Sequence, residues 1–421
     1  MDSPRKPTLD ALMSVRFFAA MHVVCHHYLL MIPAWRAAAP EWMKRLVGTA
    51  STEVTLFFIL SGFVLAYNYL SEDGSLQVGK REFWVARIAR VYPIYVFGLI
   101  VYAPIAFTRY LSGTGDPIID AGPGTTLLVS GILTLFTVQT FVVVFQVWNP
   151  PCWSVSDEAF FYVAFPWIAP RIARLKTARM LQVMTALWIC SLALPIYYLV
   201  AILGHSSKQA ADLWDVGLGC QPPLRIVPFI VGIGAAVCFL RSRKDRRLFH
   251  PLLLNITMLA ILLACAIAPH TAFRLMENAL TPLLAIVVYL LAVGQGAVAK
   301  LLTYPALVRL GEATYAMYIL HNPLWNYIAR LPNIYSFVFH HHFPKGLARP
   351  GTSTEWNYDI NGWTFCVYVV ILVCLGLLTH RYIEQPMRAW VRGRFAQTDR
   401  RGAAATMAAT AAAAGGVRTL T

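Results

Sequence analysis

Apolar and polar positions in this chain alternate on a long period. Runs of mostly apolar residues, each close to the ~20 that a helix needs to cross a bilayer, recur from near the first residue almost to the last. Ten stand out, near residues 10–32, 52–71, 91–110, 155–172, 180–203, 223–240, 250–269, 279–298, 312–331 and 362–382. They predict an all-α, polytopic integral membrane protein of about ten transmembrane helices, and no soluble segment between them is long enough to be a domain. An eleventh apolar run, residues 125–147, breaks the scheme. Were it also to cross, the basic cluster RIARLKTAR would face outward while the other basic clusters faced inward. Read as a re-entrant or non-crossing segment near 125–150, it leaves every basic run on one side. The sequence that follows it, WNPPCWS, is rich in helix breakers, and irregular backbone at membrane depth is tolerated where it is buried in protein or lines a cavity. This segment is therefore a candidate wall of an active site.

The same scheme places both termini in the cytoplasm. Residues 1–9 form a short N-terminal segment, 10–392 the membrane domain, and the alanine-rich stretch 393–421 a disordered cytoplasmic tail. The first apolar run is long and internally polar, unlike a cleavable signal peptide, and is expected to stay in the mature protein. Of the outward connections, 332–361 is the longest and is read either as a cover for an acceptor site or as an unstructured link.

Composition agrees with this picture, at 58% hydrophobic and 13% charged residues and a mean hydropathy of +0.57. The net charge of +15 raises the question of nucleic acid, but Lys and Arg sit in short clusters such as KREFWVARIAR and RSRKDRR. That is how topology-setting charge is distributed, whereas nucleic acid needs a continuous basic face. The expected partner is the lipid bilayer, with no nucleic acid. The eight cysteines fall mostly within apolar runs and contain no C-x-x-C pair, so they read as small buried hydrophobes. The run His340, His341, His342 reads as part of a solvated loop, and no metal is expected.

Ionisable groups inside apolar spans are costly and mark function by default. Arg16 and His27 lie eleven residues apart, which at 100° per residue returns to nearly the same face roughly 16 Å further along the helix. His22 points away from that face and His26 is turned one residue from His27. Arg87 and Arg90, three apart in FWVARIARVYP, are either topology anchors or ligands for the phosphates of a cofactor such as coenzyme A. Asp157 and Glu158 stand at the mouth of the fourth span, where a carboxylate can orient a catalytic imidazole, pair with an arginine or sit in headgroup water, and this last, headgroup-water reading suits Asp157 better. The pair Ser61–Gly62 fits close helix packing. A histidine near a carboxylate, with cations on the cytoplasmic side, suits acyl transfer to a hydroxyl. The same groups would also serve a proton relay in a transporter or flippase. No G-x-S-x-G elbow supports a serine hydrolase.

Seven segments, in order, carry a resemblance: LDALMSVRFFAAMHVVCHH, LFFILSGFVLAY, FWVARIARVYPIY, CWSVSDEAFFYVAFP, PPLRIVPFIVG, LGEATYAMYILH and RYIEQPMRAW. Together they resemble the acyltransferase 3 family of integral-membrane acyltransferases, from about residue 9 to 390. The resemblance implies that His27 is the catalytic histidine and that Arg16 supports it or the acyl donor. It also implies a donor of acyl-coenzyme A, with acetyl-CoA expected, on the cytoplasmic side. The family's W-S-x-x-x-E-x-x-F-Y pattern falls on Trp153, Ser154, Glu158, Phe161 and Tyr162 and favours Glu158 over Asp157. On the same grounds Ser61, Trp153, Ser154 and Tyr162 are candidate substrate contacts, and Arg87 and Arg90 candidate donor contacts. The chain departs from the family at Ala86, where an arginine is common, and at Thr55, where many members have Asp. The implied acceptor is a carbohydrate hydroxyl in a surface glycan, or a small natural product such as a macrolide sugar. Any second step on the far side would need a glycan-assembly partner protein. Frequent Arg and Ala point to a bacterial source, and so to the bacterial cytoplasmic (inner) membrane.

Overall fold

The computed structural model describes residues 9–71, 73–111, 123–142, 147–202, 219–242, 251–340, 362–391 and 393–395. The N-terminal SPRK, most of the outward connections, the RSRKDRR cluster, His341, His342 and the alanine-rich tail lie outside them. Among the described residues the only β pairing is an isolated bridge between Leu70 and Leu76, and the rest is helix and turn.

The chain opens with α1 (Asp10–Leu29), two short helices, α2 (Pro33–Ala38) and α3 (Glu41–Gly48), and α4 (Ser51–Tyr69). The long α5 (Lys80–Leu111) and the short α6 (Pro123–Leu135) follow. Next come α7 (Trp153–Arg174), α8 (Thr177–Ser191), α9 (Ala193–Tyr197) and α10 (Pro222–Arg241). Then follow α11 (Leu252–Ile267), α12 (Phe273–Ala279), α13 (Thr281–Val293), α14 (Ala297–Leu301) and α15 (Pro305–Glu312). The series closes with α16 (Thr314–His340) and α17 (Gly362–Thr379).

Among the described residues, five helical stretches are long and apolar enough to cross a bilayer, and a sixth counts if α12 and α13, bent by 52° at their junction, form one span. That is fewer than the ten expected from apolar runs, although helices stand at all ten places. The shortfall has a physical cause. Three of the remaining helices, α1, α7 and α16, carry the ionisable groups singled out above or, in α16, His321 and Arg330, and α11 is only 16 residues long. A second difference concerns His340: α16 runs on through Pro332 to His340, so the expected loop at 332–361 begins as helix.

Residues 125–147 do not make one continuous helix. At ~1.5 Å per residue α6 reaches only about 20 Å, and the chain turns back at Thr137, whose φ of +57° is unusual for a β-branched residue. The return is fastened to the start of α7: Ser156 donates to the Thr137 carbonyl at 2.6 Å and pairs with the Thr140 hydroxyl at 2.6 Å. Gln139 donates to the Cys152 carbonyl at 3.2 Å. These bonds satisfy backbone that has no helical partner.

Two prolines show how side chains replace lost amides. Pro323 in α16 cannot donate to the carbonyl of Ile319, four residues earlier. Asn149, in the left-handed region at φ +49°, donates its Nδ2 to that oxygen at 2.9 Å. Pro166 likewise frees the Tyr162 carbonyl, which accepts the Trp84 indole N–H at 3.1 Å. The WNPP breaker thus repairs a distant helix.

The core sits where α4 and α10 cross. A Cβ on Gly62 would collide with the Phe229 carbonyl, and one on Gly232 with the Ile59 carbonyl, so the backbones touch as small-residue packing allows. Gly311 lies as closely against the Met13 carbonyl and draws the end of α15 onto α1. Apolar side chains such as Leu181, Ile189, Ile256 and Ile267 face outward, as lipid contact requires.

Candidate active site

The packing of four helices brings most of the predicted polar residues together. One pocket, about 920 Å³ with its space open to solvent included, is lined by Arg16 of α1, Ser61 of α4, Arg87 and Arg90 of α5, and Ser154, Glu158 and Tyr162 of α7. Arg87 and Arg90 share a face because three residues are nearly one turn. Ser61 and Gly62 divide the work of their pair: Gly62 packs on α10, while the Ser61 hydroxyl donates to Glu158 Oε1 at 3.3 Å. That carboxylate also accepts the Tyr162 hydroxyl, one helical turn on. Glu312, at the end of α15, completes a set of three guanidinium groups and two carboxylates around the cavity.

Arg87 is 7% exposed. Its Nη2 donates to the Tyr69 hydroxyl at 2.8 Å, and its plane lies 5.2 Å over the Tyr69 ring. Its Nε has no hydrogen-bond partner among the described residues. An orphaned donor on a buried cation is costly unless a ligand supplies the acceptor.

Two predicted residues stand outside this lining. Trp153 faces the other way, with the Arg225 guanidinium 5.5 Å over its ring. His27 lies beyond the cavity's far wall, stacked on His321 of α16 with ring centroids 5.4 Å apart and planes 29° apart. The His27 ring nitrogens have no hydrogen-bond partner among the described residues. Tyr318 is the wall between them: it lines the cavity, and its ring lies 5.4 Å from that of His321. Its hydroxyl donates to the Pro151 carbonyl at 2.9 Å and accepts from Ser154 at 2.8 Å.

His321 and Tyr318 were missed in the sequence. Both lie in LGEATYAMYILH, and the rule that flagged His27, an imidazole inside an apolar span, applies equally to His321. Spacing offered no link, because the two rings meet only through tertiary packing. Asp157 needs a correction: the headgroup-water reading fails, since the residue is 0% exposed and turned into the protein, with no hydrogen-bond partner on either oxygen among the described residues. The first turn of α7 aims Glu158 at the cavity and its neighbour away from it.

The structure also accounts for His22 and His26. His22 Nε2 donates to the Leu46 carbonyl at 2.9 Å while Nδ1 meets Glu53 Oε1 at 2.9 Å. His26 Nδ1 donates to the Val47 carbonyl at 3.0 Å. These imidazoles tie the end of α3 onto α1 by donating to carbonyls of its last turn. No group of three or more metal-ligating side chains occurs among the described residues.

Such an arrangement, a charged cavity among apolar helices with a histidine pair behind it, defines a helical membrane protein with a polar interior site. Comparison with known proteins gives the class a family. A family model described as an acyltransferase domain matches residues 9–381, and the chain belongs to the acyltransferase 3 family. It is 24% identical over 397 residues to "Acyltransferase MdmB" of Streptomyces mycarofaciens, covering 91% of this chain and 92% of that protein. It is also 34% identical over 155 residues to "Protein 2 in picA locus" of Rhizobium radiobacter, covering 34% of this chain and 73% of that protein. No solved structure matches. Family membership decides between enzyme and transporter: the protein is an acyltransferase.

Proposed function

We propose that the protein transfers an acyl group, acetyl in the first instance, from acyl-coenzyme A to a hydroxyl of a carbohydrate. The observation that carries this reading is the convergence of Arg16, Arg87, Arg90 and Glu158 on one cavity, with the His27–His321 pair beyond Tyr318. Three guanidinium groups suit the phosphates of the donor, and the unpartnered Arg87 Nε calls for an acceptor oxygen. In this reading the distribution of basic residues supports ten crossings with cytoplasmic termini, the family resemblance supports a donor on the cytoplasmic side, and the frequent Arg and Ala support a bacterial inner membrane. On the same reading the donor's flexible arm extends from the arginines past Arg16, and Tyr318, the wall between the two compartments, moves aside to let the thioester reach His27.

In the transfer the acceptor hydroxyl gives its proton to His27, and its oxygen attacks the thioester carbonyl. The C–S bond breaks, and the departing thiolate takes the proton from the imidazolium. Arg16 is the nearest fixed positive group along the same helix face, and it stabilises charge on the donor side of the reaction. The acceptor is a surface glycan or a small glycosylated natural product.

His27→Ala is expected to abolish ester formation, by about 10³-fold or more, with protein level and membrane insertion unchanged. The measurement is mass spectrometry of the acyl ester formed by purified protein from acetyl-CoA. Full activity in that variant would sink the assignment.

A further inference from the structure

The unused feature of the site is the second imidazole. His321 is 0% exposed. Its Nδ1 lies against the Tyr318 carbonyl, and a carbonyl oxygen can only accept. This nitrogen therefore carries the hydrogen, and the neutral ring presents Nε2 as an acceptor. Nε2 is buried and has no partner among the described residues. The backbone around it is unusually well held: the His321 carbonyl accepts the Tyr368 hydroxyl at 3.0 Å, and the next carbonyl-side break in the helix, at Pro323, is repaired by Asn149. The ring is thus fixed in place and tautomer, with Nε2 as an unpaired acceptor and its centroid 5.4 Å from that of the second imidazole, His27.

One hydroxyl carries one proton and cannot serve both rings. Two neighbouring hydroxyls can. We infer that the His27–His321 pair reads a vicinal diol: one hydroxyl gives its proton to His27 and is acylated, while its neighbour donates a hydrogen bond to His321 Nε2 and sets which oxygen reacts. This deepens the acyl-transfer reading and rests on it. It assigns the site to polyhydroxylated acceptors over simple alcohols, and makes His321 a specificity-determining residue. An acceptor lacking the neighbouring hydroxyl leaves Nε2 buried and unpaired, which costs roughly one hydrogen bond, about a tenfold change in rate.

The test uses purified full-length protein with acetyl-CoA and, in large excess, either 1,2-propanediol or 1-propanol as surrogate acceptors, with the esters measured by mass spectrometry. Wild type is expected to favour the diol by about tenfold in kcat/KM. His321→Asn keeps a donor for the Tyr318 carbonyl but lacks an acceptor at Nε2, and its preference is expected to fall to about one. His321→Gln restores an acceptor oxygen there and is expected to recover much of the ratio, which a merely structural role would not produce. A wild-type ratio near one, or a ratio unchanged in His321→Asn, overturns the diol reading while the esters formed uphold acyl transfer. No ester from either alcohol in wild type overturns the transfer reading and this inference with it.

Discussion

The stretch containing α4 and the one containing α8 and α9 are both apolar enough to cross a bilayer, yet they live in different surroundings. In the first, 78% of the most apolar window is buried inside the protein, and in the second 6%. Apolarity alone does not separate them, because lipid tails and a protein core make equal demands on an aliphatic side chain. What separates them is the company they keep. The buried stretch carries Ser61, Gly62 and Glu53, each matched to a partner on another helix. The outer one presents Leu181 and Ile189 outward. Between these two stretches, the polar and small residues matched to partners on other helices distinguish the one that lies inside the protein.

Breaking that contrast at its strongest point should have the largest effect. Arg16→Leu makes α1 more apolar, and is expected to leave membrane insertion intact or improved while lowering acyl transfer by about 10²–10³-fold. Paired measurements of membrane-inserted yield and ester formation check this. A fall in both together would mean that Arg16 holds the fold rather than the chemistry. Asn149→Ala is the intermediate case. It leaves the Ile319 carbonyl opposite Pro323 unsatisfied and is expected to cost about 1–3 kcal/mol, read as a lower thermal midpoint in detergent. The smallest effect belongs to the rim. Ile189→Ala, at a residue 56% exposed, is expected to change stability by about 0.5 kcal/mol or less, and a large loss there would show that α8 packs against a partner rather than lipid.

The site was legible in the sequence to the extent that helix geometry carries it. Arg87 and Arg90 are one turn apart, and Glu158 and Tyr162 are one turn apart, so each pair reaches the same wall by local periodicity. The family pattern then favoured Glu158 over Asp157, and Glu158 is the one of the two that lines the cavity. Trp153, adjacent to Ser154 and part of the same pattern, turns to Arg225 instead, since neighbours along a helix diverge by 100°. Arg16 and His27 share a helix face as spacing requires, but Tyr318 stands between their compartments. Nothing in the spacing of α1 encodes a residue nearly three hundred positions away.

Membership of the acyltransferase 3 family, the helical architecture and the choice of Arg16, His27, Arg87, Arg90 and Glu158 came from the sequence alone, because hydropathy, helical period and motif order are properties of short segments. The tertiary structure alone decided that His27 stacks on His321, that Asp157 is buried, that His22 and His26 tether α3, and that Asn149 mends the helix opened by Pro323. Each of those depends on which distant backbone groups are left without partners in the folded chain. A buried polar group must be satisfied by whatever packs against it, and that neighbour is chosen only when the helices assemble.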